Sequence, residues 1–197
     1  MKINFKDILL WPNLISLFRL LLFFPFLFLF NNYTSIKNVK IYILIIIFIA
    51  FLSDLLDGYV ARKTKSISEF GKIIDPLADK ILIALIVINL YFLNEIPAFY
   101  FWIVLTRDLF IFFGGIIVAQ IIKKVLPSNL LGKLTVFSIG LFITITLLQV
   151  NRSEIIYNLI LLTSCSFCIT SFIGYLIRAI ELVKRNKNEN ISNPGTL

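Results

Sequence analysis

A chain of 197 residues that is 59% apolar, with twenty phenylalanines, 15% charged residues and a mean hydropathy of +0.94, is too apolar for an ordinary soluble domain. Its formal charge of +8 sits in short clusters between apolar runs and not along one solvated face, which speaks against nucleic acid as a partner and for a membrane protein with basic loops. There is no histidine, so the commonest general base and metal ligand is missing and any acid–base or metal chemistry must rest on carboxylates.

Six apolar segments follow one another, at about residues 14–30, 39–60, 74–93, 99–122, 130–150 and 155–183. Lipid offers no hydrogen-bond partner to an open strand edge, so each is predicted to be a helix. The first follows Lys2 and Lys6, as the apolar core of a signal peptide would, but no small-residue cleavage site comes after it, and it is read as a retained helix. Within WPNLISLFRL, Asn13, Ser16 and Arg19 recur at three-residue intervals and form one stripe of that helix.

The second and third segments carry the charge. Asp54 and Asp57 are three apart near the end of one helix, and Asp75 and Asp79 are four apart at the start of the next, so each pair shares a face. Two helices joined by one loop can bring these faces together as a four-carboxylate cluster at the membrane boundary. Like charges in such proximity repel, and a divalent cation resolves the conflict. Oxygen ligands without His or Cys favour a hard ion, Mg²⁺ or Mn²⁺, and a pair of ions about 4 Å apart can clamp both sides of a displacement at phosphorus. The neighbours suit a phosphate ligand. Gly58 and Gly71 remove side chains where a ligand could approach closely, Ala61 keeps that helix face thin, Arg62 offers a planar fork, and the Ser68 hydroxyl lies in the loop between.

Further along, Arg107 and Asp108 lie well inside the fourth segment, as a mutually neutralising pair or with Arg107 turned to a cavity. Lys133 stands near the start of the fifth segment, either as a ligand for an anion or as an ordinary anchoring lysine. Cys165 and Cys168, spaced CSFC inside the sixth, are read as core or lipid-facing residues, because no second Cys pair and no His completes a metal or redox site. The polar end, RNKNENISNPGTL, is expected to be a disordered cytoplasmic tail over residues 185–197, following a membrane domain over residues 1–184.

Orientation follows from the loops. With the N-terminus in the cytoplasm, Lys2, Lys6, Arg62, Lys63, Lys65, Lys72, Lys123, Lys124, Lys184, Arg185 and Lys187 fall inside, and only Lys37, Lys40 and Arg152 outside. The expected fold is therefore an all-α integral membrane protein of six transmembrane helices, with both termini and the aspartate cluster facing the cytoplasm.

The stretch Asp54-Leu-Leu-Asp57-Gly58-Tyr-Val-Ala61-Arg62, then eight residues, then Gly71-Lys-Ile-Ile-Asp75-Pro-Leu-Ala-Asp79, resembles the complete motif of the CDP-alcohol phosphatidyltransferases. The resemblance implies a homodimeric enzyme of the bacterial inner membrane that moves a phosphatidyl group from CDP-diacylglycerol to an alcohol and releases CMP. It implies Asp54, Asp57 and Asp75 as ligands of Mg²⁺ or Mn²⁺, and Asp79 as general base with a share in the metal site. Gly58, Ala61, Arg62, Ser68 and Gly71 would bind the nucleotide and its diphosphate.

The stripe of Asn13, Ser16 and Arg19 is similar to the family's Asn-x-x-Thr-x-x-Arg, with Ser in place of Thr, and is expected to face the nucleotide or the acceptor. Arg19 snorkelling to the interface is the plain alternative. Arg107 and Lys133 would meet an acceptor phosphate, as basic residues do in the phosphatidylglycerophosphate synthases of this family, so that glycerol 3-phosphate is the expected acceptor. The Arg-Asp pair with a later lysine is also similar to cardiolipin synthases, which use phosphatidylglycerol. A divalent-cation transporter is the rival from another class, but it calls for carboxylates near the bilayer midplane and an internal repeat, and the four aspartates lie at one boundary.

Overall fold

A computed structural model describes residues 11–64, 71–122 and 130–192, with side chains for 14–56, 80–122 and 130–186. Seven helices account for nearly all of it: α1 (Trp11–Leu21), α2 (Phe23–Asn31), α3 (Val39–Thr64), α4 (Gly71–Phe92), α5 (Ala98–Ile122), α6 (Leu130–Leu147) and α7 (Ile155–Ser192). There is no strand among the described residues. The chain divides into two compact units, one holding α1 to α4 and the other α5 to α7.

Among the described residues, five stretches are long and apolar enough to cross a bilayer: Leu14–Asn31, Val39–Leu56, Ala98–Ile122, Leu130–Leu147 and Ile155–Asn186. Large apolar side chains such as Phe24, Phe28, Phe110, Phe113 and Phe137 lie on the outside, where a soluble fold would keep polar ones. The molecule is a multi-pass membrane protein. The third predicted segment becomes α4, which starts at Gly71, three residues before the predicted apolar run, and contains the apolar stretch Lys80–Phe92 among the residues with described side chains.

Two other boundaries differ from the sequence expectation. The first apolar segment is not one straight helix but two, broken at Leu22. Pro25 supplies the cause, since it has no N–H to give the Leu21 carbonyl and its ring crowds that carbonyl. The Leu22 N–H is left shared between the carbonyls of Phe18 and Arg19, each at 3.2 Å. At the other end, residues 185–192, expected in a disordered tail, continue α7 as helix to Ser192. The Asn186 amide donates to the Ile121 carbonyl at the end of α5, at 3.2 Å, and ties that extension back.

In the first unit, α1 packs against both α3 and α4, and α2 packs against the same two helices. Phe26, Phe30 and Tyr33 stack in succession over a core that includes Ile43, Val87 and Leu90. α4 ends where Asn94 takes a left-handed conformation (φ 56°), with the Glu95 N–H reaching back to the Leu90 carbonyl at 2.9 Å.

This turn presents Glu95 to the α2–α3 connection. Its Oε1 accepts from the Tyr33 hydroxyl at 2.8 Å and pairs with Lys40 Nζ at 2.6 Å, while Lys40 sits 5.5 Å from the Tyr33 ring centre. Burial, and then the bond to Glu95 and its charge, push the Tyr33 phenol well above its ordinary value. A raised folded-state value means that this contribution is complete below the unfolded tyrosine value of about 10, and that stability falls as pH rises beyond it. Glu95→Gln keeps an acceptor but loses the charge. It is expected to destabilise the unit by about 1 kcal/mol at neutral pH and to flatten that alkaline fall, both read from thermal unfolding in detergent.

In the second unit, α7 packs against both α5 and α6. Phe142 lies between Tyr100 (4.3 Å between ring centres) and Tyr157 (5.4 Å). Gly114 and Gly115 let Tyr175 lie against α5, where a Cβ on either would meet its ring or hydroxyl at 3.3 Å. Lipid is as apolar as the core, so packing and polar contacts between helices replace a hydrophobic driving force. The polar contacts here include Tyr100 with Ser164 (2.9 Å) and the Thr135 hydroxyl with the Phe167 carbonyl (3.0 Å). Cys165 and Cys168 are free thiols buried in this same region, the first of the two placements, core or lipid-facing, that the sequence left open.

Candidate active site

The motif residues stand on two helices of the first unit. α3 runs unbroken from Val39 to Thr64, so Asp54, Asp57 and Ala61 follow one face and Gly58 and Arg62 the adjoining one. α4 starts at Gly71, which puts Asp75 and Asp79 in its first turns, four residues apart on one face. Ser68 lies outside the described residues, and so do the side chains of Asn13, Asp57, Gly58, Ala61, Arg62, Gly71, Asp75 and Asp79.

Asp54 is described in full, and its surroundings are specific. The Arg19 guanidinium is 2% exposed, and its Nη1 lies 3.2 Å from Asp54 Oδ1. Its Nε donates to Ser53 Oγ at 3.3 Å, and that hydroxyl donates to the Ala50 carbonyl at 2.7 Å. The Asp54 side chain is 50% exposed, so one oxygen is held from the protein side while much of the carboxylate stays open. Ser16, one turn before Arg19, is fully buried. Ser16 and Arg19 of the polar stripe therefore lie in the packing between α1 and its neighbours, and Arg19 does not snorkel to an interface. Ser53 was missed by sequence reasoning. Its signal was available, since it directly precedes the first motif aspartate.

In the second unit, Arg107 and Asp108 of α5 do form an ion pair, through Nη1 and Oδ1. Sequence reasoning did not foresee the third member. Ser171 of α7, 64 residues away, accepts from Arg107 Nη2 at 2.7 Å and from Nε at 3.3 Å. The signal was a stripe in an otherwise apolar helix, since Ser164, Cys168, Ser171 and Tyr175 follow one another at four, three and four residues. These contacts use three of the five guanidinium N–H groups, which makes Arg107 a fixed cation with donors to spare. Lys133 of α6 is exposed.

A sequence profile for CDP-alcohol phosphatidyltransferase matches residues 9–174, most of the chain and all of both aspartate pairs. The chain belongs to the CDP-alcohol phosphatidyltransferase family. It is thus an enzyme of that class, and the motif resemblance holds.

Among its relatives, this phosphatidyltransferase is 30% identical over 186 residues to a CDP-diacylglycerol–glycerol-3-phosphate 3-phosphatidyltransferase of Aquifex aeolicus, covering 87% of this chain and 97% of that protein. It is 30% identical over 146 residues to a protein of the same name from Rickettsia typhi, covering 74% and 80%. A probable CMP-forming cardiolipin synthase of Drosophila melanogaster is 31% identical over 117 residues, which are 59% of this chain and 35% of that protein.

Proposed function

We propose that this phosphatidyltransferase transfers the phosphatidyl group of CDP-diacylglycerol to glycerol 3-phosphate. The observation that carries the acceptor is the end-to-end similarity to the Aquifex protein whose name specifies glycerol 3-phosphate. In this reaction the acceptor hydroxyl oxygen forms a bond to the phosphorus that bears diacylglycerol, and the bond from that phosphorus to the CMP oxygen breaks. Asp79 takes the hydroxyl proton, and Arg62 meets the charge developing on the departing CMP. Gly58, Ala61, Gly71 and Ser68 make room for the nucleotide and its diphosphate. The acceptor's own phosphate needs a cation, and we assign Arg107 and Lys133 to it. Asn13 is assigned to the nucleotide or the acceptor from the sequence, whereas Ser16, fully buried, belongs to the packing of α1.

Asp54, Asp57, Asp75 and Asp79 are proposed to hold two Mg²⁺ or Mn²⁺ ions. The residues fit such ions: the donors are all carboxylate oxygens, the chain has no histidine, and Asp54 keeps a half-open carboxylate with one oxygen already oriented by Arg19. When bound, the ions would act as Lewis acids at the diphosphate oxygens.

The same reading takes the protein as a homodimer in a bacterial inner membrane, with six spans and both termini in the cytoplasm. α4 supports the sixth span by its length, since 22 residues rise about 33 Å.

The test is CMP release by purified protein given CDP-diacylglycerol, Mg²⁺ and either glycerol 3-phosphate or phosphatidylglycerol. Release with glycerol 3-phosphate at a rate at least tenfold that with phosphatidylglycerol is the expected outcome. The reverse preference would make the enzyme cardiolipin-synthase-like, a second reading that the Drosophila relative favours. No release with any alcohol would overturn the phosphatidyl-transfer reading itself.

A further inference from the structure

We infer that Arg19 is a positioning residue for the metal site, acting through Asp54, and not a ligand for nucleotide or acceptor. The inference rests on the metal reading above. An arginine that bound a substrate phosphate would keep its fork open to the cavity. Arg19 instead is 2% exposed and turns that fork on the protein, with Nη1 on Asp54 Oδ1 at 3.2 Å and Nε on Ser53 Oγ at 3.3 Å.

Ser53 is itself anchored, because its hydroxyl proton goes to the Ala50 carbonyl one turn back at 2.7 Å. The guanidinium plane is thereby fixed from two consecutive residues of α3, and the Asp54 carboxylate is fixed by the guanidinium. Asp54 is left half exposed. A carboxylate held through one oxygen and still half open is prepared to ligate a cation without first losing its rotamer freedom.

Charge alone does not account for this arrangement. A guanidinium beside a metal ligand repels the incoming cation, so a residue present only for its charge would weaken binding. The geometry must offset that repulsion, and the discriminating change is one that keeps the charge and removes the fork. Arg19→Lys does this, since an ammonium on a flexible stem cannot engage Ser53 and Asp54 with one rigid plane. Ser53→Ala is the milder counterpart, removing the Nε acceptor while leaving Arg19 and Asp54 intact.

The experiment is a titration of Mn²⁺ into the purified full-length protein in detergent without CDP-diacylglycerol, with free Mn²⁺ followed by electron paramagnetic resonance. Thermal unfolding is recorded alongside. The expected result is a dissociation constant raised about tenfold in Arg19→Lys, the lower end of the range for residues that orient a metal ligand, and by a smaller factor in Ser53→Ala. Unchanged or tighter Mn²⁺ binding in Arg19→Lys, whatever its unfolding temperature, would reduce Arg19 to a strut between α1 and α3 and overturn the inference. If Arg19→Lys does not fold, Ser53→Ala decides by the same criterion. Wild-type protein that binds no Mn²⁺ would remove the metal reading and the inference together. Wild-type binding with equal binding by the variants would remove the inference only.

Discussion

Asp79→Asn is expected to lower the rate of CMP release at least 100-fold while leaving the protein folded. The hydroxyl of an alcohol is a poor nucleophile until its proton is taken, and a positioned base contributes about 10²–10⁴ in rate. Asparagine is nearly isosteric with aspartate but has no basic oxygen for that proton, and it brings one carboxylate fewer to the cations. Asp79 stands on α4 just before the apolar run Lys80–Phe92, so the exchange is expected to leave that helix formed. The measurement is initial-rate CMP release at saturating CDP-diacylglycerol, beside size-exclusion and thermal-unfolding profiles. A folded Asp79→Asn enzyme with more than about a tenth of the wild-type rate would take Asp79 out of the role of base.

Removal of divalent cations should have an effect of similar size. Chelation by EDTA is expected to abolish CMP release, with recovery on adding excess Mg²⁺ or Mn²⁺. If the cations provide about 4 kcal/mol of charge stabilisation in the transition state, their loss lowers the rate roughly 1,000-fold. The carboxylates should also respond without turnover, because four like charges gathered at the proposed cation site repel once the cations are gone. The unfolding temperature in detergent should then fall on chelation and return with Mg²⁺. Undiminished CMP release in excess EDTA would exclude the cations from the reaction.

The helical placement of the motif residues was legible from their spacing. The two aspartate pairs, three and four residues apart, lie on unbroken helices at the register that the spacing requires. The family, the all-helical class and the membrane setting followed from the same stretch and from the apolar runs. Arg19 shows where spacing stops being informative. Three-residue intervals correctly put Asn13, Ser16 and Arg19 on one stripe, but a stripe has no address until its neighbour is known. The neighbour of Arg19 is Asp54, itself a proposed metal ligand. Arg107 is a similar case, since the adjacent Asp108 was evident while Ser171, 64 residues away, completes its contacts.

The amino-acid sequence alone therefore determined the helices, the membrane and the family, because apolar length, helical period and motif spacing are local properties of the chain. The break at Leu22 was not read from the sequence, whose apolar run predicts one continuous helix over residues 14–30. Only the tertiary structure decided which side chains the buried cations meet. A charged group placed in a low-dielectric interior is tolerated only beside a partner, and that partner is chosen by how helices distant in sequence pack.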